Sequence, residues 1–228
     1  MARRPGPLEQ LAAELKAKYV VNVTCISCDL ADAEAPLQLQ KAVGDREIDI
    51  LVYNAALSYI GPFEKNSIEQ HNQMAQANMI TPMSLLQIFG EPMLKRGKGA
   101  LVLMASLAGF QGSGFLAGYA ATKSFNRVLG ESLWYEWKDR GVDVIACCAG
   151  ATSTPGFLNT RPEKSSFFAP RVQSPDEVVQ ECFKQLGKQP SFVTGAGNKL
   201  ASFIMQRLMP RRLAIIIMGD TTRKMYRL

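Results

Sequence analysis

Tyr119 and Lys123 stand four residues apart in a run, 117–140, whose composition reads as a helix, so the two side chains share one face a single turn apart. Ser106 lies thirteen residues before Tyr119, where the apolar strand pattern over 100–105 ends. These three residue types suit one chemistry. A phenol titrates near pH 10, too high for a general base at neutral pH, and a neighbouring ammonium is expected to favour the phenolate and lower that value. The hydroxyl of Ser106 can donate a hydrogen bond to a substrate oxygen that becomes alkoxide-like as hydride arrives. Hydride transfer belongs to a nicotinamide cofactor. The chemistry expected is therefore the interconversion of a carbonyl and a secondary alcohol. By composition alone a Tyr–Lys pair arises in roughly one chain in three, and a serine at the required spacing lowers this to roughly one in fifty.

Such side chains meet only if the surrounding elements bring them together. Strands are expected at 20–28, 48–53, 100–105, 142–148 and 191–194, separated by helices at 8–19, 32–43, 67–95, 117–140 and 176–186. Alternating strands and helices argue for an α/β fold, a doubly wound parallel sheet with helices on both faces. The apolar runs match strands buried on both sides. In such sheets ligands bind beyond the carboxyl ends of the strands, which here are Asp29, Asn54, Ser106 and Gly150. No repeat, low-complexity tract or linker interrupts the pattern, so residues 1–228 read as one domain, with 198–228 a basic helical extension.

The composition narrows the function class. With 228 residues, 47% hydrophobic and 20% charged, the chain has the make-up of a globular domain. Its net charge of +6 is spread along the chain without an aromatic-interleaved basic stripe, so no nucleic-acid partner is expected. Cys25 and Cys28 form a C-x-x-C, but no second pair or histidine cluster completes a metal site, and His71 is the only histidine. The five cysteines read as buried thiols in a reducing compartment. No secretory h-region or membrane-spanning run is evident, so a cytoplasmic protein is expected.

Several motifs together resemble the short-chain dehydrogenase/reductase family. YNAA at 53–56 is similar to the family's N-N-A-G strand end, and ANM at 77–79 aligns Asn78 with its catalytic asparagine. MASLAGFQGSGFLAGYAATK at 104–123 resembles its Ser–Tyr–Lys stretch, CAGATST at 148–154 its P-G-x-x-x-T segment, and CDLAD at 28–32 its adenine-contacting Asp-Leu pair. The resemblance runs from the first residues to about Gly195 and implies a Rossmann-like fold. It implies Tyr119 as acid/base, Lys123 as its partner and a holder of the nicotinamide ribose, Ser106 as substrate-oxygen donor and Asn78 in a water-linked proton relay. Asp29, Leu30, Asn54, Ala55 and Ala56 would flank the adenosine, and Gly150, Thr152 and Thr154 the nicotinamide. Arg3 and Arg4 correspond to the end of the family's second strand, where a basic residue commonly holds the 2′-phosphate, which points to NADP(H) over NAD(H). A mobile basic N-terminus is the other reading of the two arginines, and for Asn54 a role bracing neighbouring strands stands beside ligand contact. A small carbonyl or alcohol substrate and a homo-oligomer are implied as well.

The family's opening T-G-x-x-x-G-I-G turn is missing, so the fold is expected to be incomplete at the N-terminus, lacking the first β-α-β unit. Two readings follow: part of a longer reductase, or a short non-catalytic form acting as a binding or scaffold module. The intact Ser–Tyr–Lys set favours the first. Ala56 and Ala149 also depart from the family's Gly and Pro without removing a chemical group. The loop 149–175, with Phe157, Phe167 and Phe168, is apolar enough for a hydrophobic ketone. The tail combines LASFIM and LAIIIM with Arg207, Arg211 and Arg212 around Pro210. It reads either as a lid or subunit contact, the commoner outcome, or as a peripheral helix on a membrane surface.

Overall fold

The computed structural model describes residues 1–162 and 171–228, so Phe167 and Phe168 lie outside the described residues. Four strands, β1 (Ile50–Tyr53), β2 (Gly99–Ser106), β3 (Val142–Ala149) and β4 (Ser191–Val193), form one parallel sheet in the order β1-β2-β3-β4. The strand period of two sorts the side chains of the central pair. Leu101, Leu103, Val142 and Val144 enter a core with Leu85, Met93 and Trp137, while Val102, Ile145 and Cys147 enter a second core with Val178, Cys182 and Phe192. Helices therefore cover both faces: α4 (Thr81–Arg96) and α5 (Ala117–Trp137) one side, α7 (Pro175–Gln185) the other. The architecture is α/β and Rossmann-like.

The helical run expected over 67–95 forms with one interruption. Ser67 starts α3 (Ile68–Ala75) through a capping box, its hydroxyl accepting from Gln70 N while the Gln70 side chain accepts from Ser67 N. A π turn at Gln76–Ile80 then precedes α4. Such a turn shifts the backbone bonding by one residue and often sits at functional sites. Here it carries Asn78, and the Tyr53 hydroxyl donates to its Ala77 carbonyl.

Two expectations need correction. Residues 20–28 form no strand beyond an isolated bridge between Ala2 and Ser27, and Val20 is fully exposed. A strand needs neighbours to receive its backbone groups, and among the described residues Ala2 alone pairs with this stretch. The strand β1 is likewise not buried on both sides: it pairs only with β2, and Ile50 and Val52 are 50% and 45% exposed. The helix α1 (Pro5–Lys18) precedes this stretch, and α2 (Ala35–Val43) follows it, inserting Ala35 and Leu39 into the first core.

Within the segment 149–175 a short helix, α6 (Pro155–Asn159), was not expected from the sequence. Beyond β4 come α8 (Ala196–Phe203), a π continuation at Ile204–Leu208, and α9 (Arg211–Tyr226) after Pro210. One ridge of α9 lies along residues 110–115. Arg211 Nη1 donates to the Phe110 carbonyl at 3.0 Å. A Cβ on Gly112 would lie 3.6 Å from Ile215, one on Gly114 3.3 Å from the Gly219 Cα, and the Arg223 guanidinium sits 5.3 Å from the Phe115 ring centre. The spacing 211, 215, 219, 223 is one helix face, and glycine on both sides of the third contact lets the two backbones approach.

Candidate active site

Ser106 ends β2, and α5 follows after a 3-10 turn at Leu107–Phe110 that places Tyr119 and Lys123 over the strand end. Gly109 makes this close seating possible, since a Cβ there would stand 2.7 Å from the Lys123 carbonyl carbon and the Ser124 nitrogen. Lys123 is buried, its Nζ donating to the Met104 carbonyl at 2.6 Å and lying 5.7 Å from the Tyr119 ring centre. The three side chains are thus gathered at one corner.

The electrostatics differ from the sequence-based expectation. Burial pushes the Tyr119 phenol above its ordinary value, with the neighbouring Ser106 hydroxyl pulling it back and Tyr226 pushing it further up. Burial also draws the Lys123 ammonium down to about 8. The phenol expected to be lowered by Lys123 is instead raised, because desolvation penalises the charged form of each group. Tyr119 is a protonated phenol at neutral pH.

Asn78 is fully buried and serves as a brace. Its Oδ1 accepts from Leu57 N at 2.8 Å, and its Nδ2 donates to the Leu57 carbonyl at 2.8 Å and to Thr122 Oγ1 at 3.0 Å. Thr122 Oγ1 donates in turn to the Tyr119 carbonyl at 2.8 Å. The Asn78 amide is thereby engaged by protein groups.

The residues expected around a dinucleotide fall into two groups. Arg3 and Asp29 share an exposed corner, Nη1 to Oδ2 3.9 Å, with Asp29 also accepting from Ala31 N at 3.0 Å. Arg4 is the exposed residue before α1. Leu30 departs from expectation, because its side chain belongs to the core and its carbonyl accepts from Thr81 Oγ1 at 2.9 Å. Asn54, Ala55 and Ala56 are exposed beyond β1, and among the described residues the Asn54 side chain makes no hydrogen bond that would brace a strand. Gly150 follows β3, and a Cβ there would meet Asn198 Nδ2 at 2.5 Å. Thr152 Oγ1 donates to the Gly150 carbonyl at 3.2 Å, and Thr154 caps α6 by accepting from Phe157 N at 3.3 Å.

Comparison with known proteins shows the family. Residues 1–165 match the family model described as short chain dehydrogenase. The chain belongs to that family. Members of the short chain dehydrogenase family are NAD(P)-dependent oxidoreductases, and this one is 29% identical over 199 residues to a 7beta-hydroxysteroid dehydrogenase of Clostridium sardiniense, covering 87% of this chain and 76% of that protein. A solved structure from work on 7beta-hydroxysteroid dehydrogenase stereoselectivity superposes with a TM-score of 0.87 at 25% identity, over 95% of this chain and 84% of the other. A short-chain dehydrogenase from Sphingobium yanoikuyae in complex with NADPH superposes at 0.74 with 25% identity, covering 84% and 74%.

The residues of this short chain dehydrogenase fit the nicotinamide half of such a cofactor better than its diphosphate. The buried Lys123 and Tyr119 beside it, at the end of β2, are the residues that would hold the ribose next to the nicotinamide. Among the described residues no glycine-rich helix start follows a strand beside β1. Sequence reasoning passed over Gly109, Thr122 and Ser113. The Ser113 hydroxyl, which falls between Ser106 and Tyr119 in the sequence, is buried with no hydrogen-bond partner among the described residues, and only its place in the 104–123 motif signals it.

Proposed function

We propose that the protein interconverts a carbonyl and a secondary alcohol with NADP(H), Tyr119, Ser106 and Lys123 carrying the reaction. The convergence of these three side chains at the end of β2 carries the proposal. A reduced nicotinamide bound beside Lys123 and Tyr119 would supply the hydride for the carbonyl carbon. The Tyr119 phenol gives its proton to the carbonyl oxygen, and the Ser106 hydroxyl donates a hydrogen bond to that oxygen as charge develops on it. Lys123 stabilises the phenolate left behind. A phenol held protonated by burial suits the reductive direction. Asn78 acts through its brace on Leu57 and Thr122, as a positioning residue. Arg3 favours NADP(H) over NAD(H), as a cation near the ribose would. The relatives point to a hydrophobic ketone of the hydroxysteroid kind as substrate. All five cysteines are free thiols, which fits a cytoplasmic protein.

The reading is tested by following NADPH oxidation at millimolar cofactor with a 7-ketosteroid and comparing wild type with Tyr119→Phe. The ring still packs in the variant, so folding is kept while the rate falls by about 10²–10⁴-fold. Retention of more than about a tenth of the rate would refute the role of Tyr119. The rival is a non-catalytic binding module, favoured by the engagement of Lys123 with the Met104 carbonyl. A folded wild-type protein without turnover toward any ketone would decide for it.

A further inference from the structure

The helix α8 and its π continuation are amphipathic in the inverted sense. Asn198 and Gln206, eight residues apart and so on one face, turn toward the protein. Asn198 is buried with Nδ2 3.4 Å from Gln173 Oε1, and Gln206 Nε2 donates to Gln111 Oε1 at 2.6 Å. The opposite face carries Leu200, Phe203, Ile204 and Leu208, which are 62%, 55%, 38% and 69% exposed. Past Pro210 the surface continues with exposed Leu213 and Ile216. Single exposed apolar residues are ordinary, but a continuous row at i, i+3, i+4 and i+8 marks a contact face.

The charge around this face identifies what covers it. Residues 182–219 contain no aspartate or glutamate, yet hold Lys184, Lys188, Lys199, Arg207, Arg211 and Arg212. Arg207, Arg211 and Arg212 enter no ion pair among the described residues. A two-fold contact between copies would set the same patch against itself, bringing arginines together with no acid on the segment to meet them, and facing like charges oppose association. An anionic lipid surface complements both properties at once, taking the apolar row at the acyl boundary and the cations among the headgroups. No helix among the described residues is long and apolar enough to cross a membrane, so the contact lies in the plane of the surface.

We propose that α8, its π continuation and the start of α9 form a docking surface for anionic lipid bilayers. This stands independently of the reductase reading. The test is co-sedimentation of the full chain with vesicles of phosphatidylcholine alone or enriched in phosphatidylglycerol, beside sedimentation velocity without lipid. The expected result is binding to the enriched vesicles only, weakened by salt. Phe203→Glu/Leu208→Glu should reduce that binding at least about tenfold, and Arg207→Glu/Arg212→Glu should abolish the preference for anionic lipid. These positions are exposed, so unchanged circular dichroism melts are expected, and Leu208→Ser serves as a milder variant should the double glutamate fail to fold. Absence of vesicle binding, or binding unchanged in the variants, would overturn the proposal. A dimer that dissociates in Leu208→Ser without any lipid binding would overturn it in favour of a second copy.

Discussion

Asn78 Nδ2 donates to Thr122 Oγ1 at 3.0 Å, tying the π turn between α3 and α4 to the residue that precedes Lys123. Because Asn78 also holds both backbone groups of Leu57, it joins the strand-end loop after β1 to the helix bearing Tyr119. Asn78→Ala should lower unfolding free energy by about 3 kcal/mol, since buried partners are left unmade. Thr122→Val should cost about 1 kcal/mol, with a double variant costing less than the sum. Urea melts of the four proteins measure this, and strict additivity would show that the two side chains do not act as one brace.

Lys123 gives stability a pH dependence of definite sign. Burial lowers its ammonium from 10.5 to about 8, so between those values the unfolded chain binds more protons than the folded protein. The cost of burying it is complete below pH 8 and fades as pH rises toward 10.5. Relative to Lys123→Met, wild type should gain about 1 kcal/mol from pH 8 to pH 9. Above pH 9 the buried thiols of Cys28 and Cys148, both raised from 9.0, work in the opposite direction. Denaturation of both proteins at pH 7, 8 and 9 gives the difference, and a constant difference would contradict a depressed lysine.

Gly109 is expected to tolerate no side chain. Its Cβ would stand 2.7 Å from backbone atoms of Lys123 and Ser124, so the turn after Ser106 would be pushed off α5. Gly109→Ala should destabilise by about 2 kcal/mol. Gly156→Ala, where nothing lies within 4 Å, should be neutral or stabilising by about 0.5 kcal/mol. Thermal melts of the two variants compare crowded and open sites directly.

Binding of NADPH by residues 1–228 should be weak, with a dissociation constant near 1 mM, the upper end of the ordinary range of KM values. The described residues offer Lys123 and Arg3 but no glycine turn opening a helix beside β1. Fluorescence titration checks this, and micromolar affinity would require a diphosphate site of another construction.

The sequence alone was enough to bring the three proposed catalytic side chains to one corner. Ser106, Tyr119 and Lys123 lie within one strand–turn–helix stretch, where spacing determines facing, and the apolar runs of β2 and β3 mark a sheet covered on both sides. Leu101 and Val102 show this, entering opposite cores as the strand period requires. The tertiary structure decided whatever depended on partners distant in the chain. Residues 20–28 have strand composition, yet they form no strand because, among the described residues, Ala2 alone pairs with their backbone. Asn78 became a brace only when Leu57 and Thr122, 21 and 44 residues away, closed around it. The phenol of Tyr119 moved up because burial outweighed the hydrogen bond to Ser106. The outward turn of Leu200, Phe203 and Leu208 was set by Gln173 and Gln111 holding the polar face of α8 and its continuation inward. Periodicity shows that such a helix has two faces, but only packing decides which of them meets the protein.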